Sequence, residues 1–200
     1  MHETLLTLAW FAGTIYATIP LFWLIVHPFA ELLRARRALR YLIVPSWFVM
    51  MALVYFLTWP WREVVLYRAP VSWLAAGLLF VAAVLVYHGS RLGLSRIHLM
   101  TRGRIEPSRE RRLVTTGIRQ RIRHPIYLAH VLMLLAWTVG SGEVVLYCLT
   151  LFALLTGWPM IRQEEADLDR RFGEEYRAYK RAVPAAFVPR VLRVNKLERH

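Results

Sequence analysis

Two hundred residues would suit one ordinary domain, but 57% of them are hydrophobic and only 20% are charged. Soluble chains average about 45–50% apolar and about 25% charged, and here the surplus lies in long blocks; this excludes a disordered chain, a disulfide scaffold and a conventional cytosolic enzyme. The net charge of +13, with 24 arginines among 26 cations, is expected of cationic loops held at one membrane face and not of a nucleic-acid binder.

A helix needs about 20 mainly apolar residues to cross a hydrocarbon core of about 30 Å. Residues 5–26, 41–61 and 71–87 are uncharged and meet that length. The first lacks the basic leader and cleavage site of a signal peptide and is expected to stay in the mature protein. Residues 125–140 and 143–161 form two further apolar stretches joined by Gly140-Ser141-Gly142, which reads as a tight helical hairpin. The expected fold is therefore an all-α integral membrane bundle of about five transmembrane helices. Three helices fall in residues 1–90, and a core of loop, hairpin and tail falls in 91–200.

Charge supports five spans. That topology puts residues 27–40, 91–123 and the C-terminal tail on one side, and these carry 24 of the 26 cations, leaving only Arg62 and Arg68 opposite. The positive-inside rule makes the first side cytoplasmic. The tail at 162–183 changes character: six of the thirteen acids interleave with Arg and Lys, while Leu168, Phe172, Tyr176, Tyr179 and Val183 recur at helical spacing. It is expected as a separate amphipathic helix at the membrane surface, with Gly173 a weak point and the basic residues beyond it among lipid headgroups.

Two polar constellations stand out on the cation-rich side. Arg123-His124-Pro125 opens the fourth apolar helix, where a proline costs no hydrogen bond and the first-turn N–H groups offer a seat for an anion. Glu164-Glu165 follows directly on the fifth, where carboxylates need water or cations. An anion seat beside two carboxylates suits a zwitterion. His130, six residues past His124, is an intramembrane ionisable group and for that reason also a candidate. No Gly-rich nucleotide loop, zinc-protease motif or nucleophile elbow occurs, and the lone Cys148 makes neither a disulfide nor a metal site by itself.

Leu113-Val114-Thr115-Thr116-Gly117, Arg123-His124-Pro125-Ile126-Tyr127, Glu164-Glu165, Phe172-Gly173-Glu174-Glu175-Tyr176 and Tyr179-Lys180-Arg181-Ala182-Val183-Pro184, in this order, resemble the isoprenylcysteine carboxyl methyltransferase family, parts of whose pattern phospholipid methyltransferases share. The resemblance spans about residues 111–190. It implies a membrane enzyme that takes S-adenosyl-L-methionine from the cytosol and a lipophilic small molecule or lipid from the bilayer. It also implies a cofactor site made by Arg111, Arg112, Leu113, Val114, Gly117, His124, Pro125, Ile126, Tyr127 and Glu164, with Tyr127 presenting its ring to the sulfonium. Four positions depart from the pattern. Gly117-Ile118-Arg119 replaces Gly-x-Tyr, Ala129 replaces a glycine, Arg111 replaces a histidine, and Met160 stands where an arginine meets the substrate carboxylate. Arg162 is then the nearest cation and Glu165 the nearest base, and these two are the expected catalytic residues. With Met160 in that place, a neutral amine, thiol or hydroxyl is the expected acceptor. Two other readings remain: a sterol-reductase-like membrane enzyme using NADPH, and a lipid-binding protein without catalysis.

Overall fold

A computed structural model describes residues 2–91 and 113–187. In chain order these form α1 (His2–Val26), α2 (Ala30–Ala35), α3 (Ile43–Thr58), α4 (Pro70–Arg91), α5 (Pro125–Ser141), α6 (Val144–Phe172) and α7 (Glu174–Ala182), with 3₁₀ turns at His27–Phe29, Arg37–Leu42, Trp59–Trp61 and Gly117–Gln120. Among the described residues there is no strand, only an isolated antiparallel bridge between Val65 and Glu143. The protein is an all-helical bundle.

Stretches 3–29, 38–61, 70–91 and 144–172 are long and apolar enough to cross a membrane, whereas α5 is a shorter apolar helix of 17 residues. At 1.5 Å per residue α5 extends about 25 Å. The chain thus has the build of an integral membrane protein. Its exterior agrees: Phe48, Val49, Leu53 and Phe56 on α3, and Leu74, Leu78, Val81 and Leu85 on α4, are exposed. So large an apolar surface suits hydrocarbon and would drive association in water.

Small residues let the central helices approach. Ala9, Gly13 and Ala17 repeat every four residues along one face of α1, and a Cβ on Gly13 would clash with Leu146 Cδ2 on α6. In a membrane such close packing does the work that hydrophobic exclusion does in water. Around that stripe Trp10, Leu134, Val145, Leu149 and Ala153 close the core. Trp10 also stacks on Tyr55 with centroids 3.9 Å apart and donates through Nε1 to Thr58 Oγ1 at 2.9 Å, which fastens α3 to α1. Buried hydroxyls find partners too: Thr14 and Thr18 donate to carbonyls one turn back, and Thr138 and Thr150 share a 2.9 Å hydrogen bond between α5 and α6.

The hairpin turns where the glycines stand. Gly142 adopts φ +70°, the left-handed conformation that closes α5, and a Cβ there would meet Tyr67 O at 2.8 Å. The expected separate tail helix is not what forms. The helix that begins at Val144 continues through the change of composition at Arg162 as far as Phe172, and Pro159 sits inside it. Nothing between 162 and 172 breaks a helix, and Asp167 pairs with Arg170 and Arg171 along it. The break comes at Gly173, whose φ of +55° directs α7 away, so Leu168 and Tyr176 belong to different helices.

Candidate functional site

The start of α5, the far end of α6, α7 and the chain returning from it meet at one end of the bundle. The proline sets the geometry. Pro125 occupies the first helical position and His124, as the residue before it, is held out of the helical region at φ −118°, ψ 59°. The extended backbone at 123–124 then pairs with the return segment: the Arg123 and His124 N–H groups donate to the carbonyls of Ala185 and Ala186 at 3.0 and 3.1 Å. Side chains lock the same junction. Arg123 reaches Glu165 Oε1 through Nε at 2.9 Å and Nη2 at 2.8 Å, and donates through Nη1 to Val183 O at 2.6 Å.

Glu165 is the centre of this junction. Besides Arg123 it holds His124, whose Nε2 lies 3.1 Å from Oε1, and Lys180, whose Nζ lies 2.6 Å from Oε2. Both carboxylate oxygens are occupied by cationic groups, so neither is available to take a proton from a substrate. The expectation that Glu165 acts as a base is revised on that geometry. Arg123 and His124 are likewise committed to Glu165 rather than free for an external anion.

Glu164, 100° round α6, faces the interior. It accepts a hydrogen bond from the Tyr127 hydroxyl. Tyr127 packs with Met160 and Ile161, and Trp23, Leu24 and Phe187 complete an apolar wall around them. The His124 and Tyr127 rings stack with centroids 5.6 Å apart. Two polar atoms on the helices that meet here are buried without a hydrogen-bond partner: Gln163 Oε1 on α6 and the Tyr176 hydroxyl on α7. Burial pushes the Tyr176 phenol up from its ordinary value, and the charge of Glu165 adds to that rise. On the flank, Tyr179 donates to Arg119 O at 2.8 Å and Arg119 donates to Ser90 O at 2.6 Å, which ties α7 through the 117–120 turn to the end of α4.

Residues 29–183 match the family model described as "Protein of unknown function (DUF1295)". The chain belongs to the DUF1295 family. Arg123, His124, Tyr127, Glu164, Glu165 and Lys180 all lie within the matched region, whereas the wall residues Trp23 and Leu24 and the return residues Ala185, Ala186 and Phe187 lie outside it. A Haemophilus influenzae protein described only as uncharacterised is 39% identical over 59 residues, 29% of this chain and 94% of its own length. No solved structure matches the chain.

Of the residues singled out from sequence, this DUF1295 chain brings His124, Pro125, Tyr127, Glu164 and Glu165 together. Ile126 is half-buried beside them. Leu113 and Val114 are half-buried on the approach to Gly117, which turns with φ +64° and is exposed; these three are not among the residues bonded or packed in the cluster. Arg111 and Arg112 lie outside the described residues. Arg162 does not join the site: it is exposed and stacks over the Trp158 ring at 4.9 Å. Met160 is buried against Tyr127, so no cation stands at that point. His130 lies in α5 beside Tyr16, with ring centroids 5.7 Å apart, remote from the cluster. Lys180 and Tyr176 stand in the motif blocks without an expected role at the site, although Lys180 is one of only two lysines in an arginine-rich chain, and nothing in the sequence singles out Gln163.

A zwitterion of the S-adenosylmethionine type needs acceptors for its ammonium and donors for its carboxylate. Glu164, beside the Tyr127 hydroxyl, fits the first need. For the second, Arg123 and His124 are spent on Glu165, and the donors that remain are the first-turn N–H groups of α5, which no side chain caps.

Proposed function

We propose that this protein transfers a methyl group from S-adenosyl-L-methionine to a lipophilic acceptor taken from the bilayer, at the end of the bundle where Tyr127 and Glu164 meet. Convergence carries the reading. Three separated motif blocks, at 123–127, 164–165 and 179–184, close on one another through Arg123, Glu165, Lys180 and Val183, beside the apolar wall of Trp23, Leu24 and Phe187. Those are three of the five blocks whose order resembles the methyltransferase family.

Bound, the cofactor supplies an activated methyl group on a sulfonium. The chain's own part is positioning and exclusion of water. Glu164 takes the ammonium or ribose hydroxyls, the first turn of α5 takes the carboxylate, and the Tyr127 ring stands beside them. The Arg123–Glu165 junction keeps the start of α5 and α7 in register. Met160 leaves the acceptor side apolar, which favours a neutral amine, thiol or hydroxyl, because a buried carboxylate without a cation costs several kcal/mol. The 24 to 2 division of cations supports five crossings, with this end in the cytoplasm and the cell inner membrane as the location.

The test is binding by the purified protein in detergent. S-adenosylhomocysteine should raise its melting temperature and NADPH should not. Glu164→Gln should weaken binding by roughly 1–3 kcal/mol while the protein stays folded. Stabilisation by NADPH alone would replace the reading with a reductase, and stabilisation by neither with a lipid-binding role.

A further inference from the structure

The opposite end of the α5–α6 hairpin holds a second glutamate with quite different surroundings. Glu143 is 0% exposed, and neither carboxylate oxygen has a hydrogen-bond partner. It lies where the backbone of the connection between the Trp59–Trp61 turn and α4 is stitched to the hairpin. There the Leu66 N–H donates to Gly142 O at 2.8 Å and the Val144 N–H donates to Val64 O at 2.9 Å, on either side of the Val65–Glu143 bridge. The backbone on both sides of Glu143 is thus committed to the connection while its side chain is shut inside.

No described charged group neutralises it. On the connection, Arg62 stacks on Trp59 at 3.7 Å and pairs with Glu63 at 3.1 Å, and Arg68 forms no ion pair with Glu143. Tyr67 and, one turn along α6, Tyr147 bond to each other at 2.6 Å, and Tyr67 donates onward to Val139 O. On α3, Tyr55 is stacked with Trp10, and on α1 Glu3 would only repel a negative charge. The adjoining ends of α4 and α5 carry no ionisable residue. Ser141 stands beside it, and its Oγ accepts from the Glu143 backbone N–H at 3.3 Å.

We propose that Glu143 is a proton-binding site in which the neutral acid acts as a latch: while protonated it stays buried and the 62–69 connection stays stitched to the hairpin, and loss of the proton releases that stitch. A carboxylate with no cation beside it is not tolerated in such a place, whereas a neutral carboxyl is an ordinary buried polar group. Burial pushes the Glu143 carboxyl up to about 7, against a smaller opposing pull from Ser141. The inference does not depend on the proposed methyl transfer.

Hydrogen exchange of the intact protein in lipid nanodiscs tests it, read at the amides of Leu66 and Val144 and corrected for intrinsic exchange. The opening equilibrium at these two amides should rise about tenfold between pH 6 and pH 8.5, because opening releases the proton that the closed form keeps up to about pH 7. Amides in the middle of α6, such as Leu149, should not follow. Glu143→Gln should hold both amides at a pH-independent level. The proposal is overturned if the wild type shows no such rise, if the mid-helix amides open in step, or if Glu143→Gln keeps the wild-type pH dependence. Should the variant fail to fold, the wild-type profile at the two amides decides alone.

Discussion

Glu165 and Glu143 mark the two ends of the α5–α6 hairpin, both withdrawn from water, and the chain keeps them by opposite means. Glu165 has two cationic partners, Arg123 ahead of α5 and Lys180 on α7, and a hydrogen bond with His124, all within 3.1 Å. Glu143 has none. The first end is therefore a charged knot that fixes three chain segments in one arrangement, and the second is a neutral closure whose charge state follows the surrounding pH. The described neighbours account for the asymmetry: Arg123 and Lys180 reach Glu165, whereas Arg62, on the connection beside Glu143, is taken up by Trp59 and Glu63. If each end works as described, the two glutamates should respond in opposite directions to neutralisation.

The largest effect should come from emptying the knot. Glu165→Ala leaves Arg123 and His124 buried and unpaired, and removing one member of such a buried pair typically costs about 3–5 kcal/mol. We expect a fall of that size in unfolding free energy, read by thermal unfolding monitored on the tryptophans, with α7 becoming sensitive to protease. An unchanged melting temperature would mean that the knot is decorative.

Neutralising the other end should help where the first hurts, but only at high pH. Glu143 has its pKa raised in the folded state, to about 7 from an ordinary 4.5. The stability linked to its proton is thus complete below about pH 4.5 and is lost as pH rises through 7, amounting to about 3 kcal/mol at 1.36 kcal/mol per unit. The wild type should lose stability over this range, and Glu143→Gln should lose less by that amount. Parallel pH profiles for the two proteins would break the contrast between the ends.

Between the two ends, the packing of α1 on α6 makes an intermediate prediction. Gly13→Ala drives a methyl group into Leu146 Cδ2, against a side chain that is itself fully buried. Overpacking of this kind costs about 1–3 kcal/mol. The loss should be the same at pH 5 and pH 8, which separates it from the Glu143 effect.

How far these features can be seen in the amino-acid order differs between the ends. The helices, the proline start of α5 and the glycine turn at Gly142 follow from apolar block length and from backbone chemistry local to each residue. Glu164 and Glu165 announce themselves as carboxylates at the end of an apolar run. Glu143 does not, because it stands at a loop boundary where a polar residue is unremarkable, and its burial is created by residues 64–66, far away along the chain. The run of α6 through Arg162 was hidden for a related reason: a change from apolar to charged residues marks the edge of a membrane, and a helix has no need to end there. Arg162, expected near the chemistry, is turned outward onto Trp158 because it stands two residues, about 200° of helix, beyond Met160.

The smallest effect asks which cation the knot needs. Lys180 makes the shortest contact to Glu165, at 2.6 Å, yet its side chain is 50% exposed, whereas Arg123 is 8% exposed. An exposed ammonium is hydrated before and after pairing, pays side-chain entropy to stay put and is screened by salt, so such a pair is worth about 0–1 kcal/mol. Arg123 is different, since it also holds Val183 O and would remain buried without Glu165. Lys180→Met should therefore lower stability by less than about 1 kcal/mol, and the difference should vanish in high salt. The cost of Glu165→Ala should survive that salt. A Lys180→Met loss as large as that of Glu165→Ala, unmoved by salt, would show instead that α7 closes over the knot and that the lysine is one of its buried members.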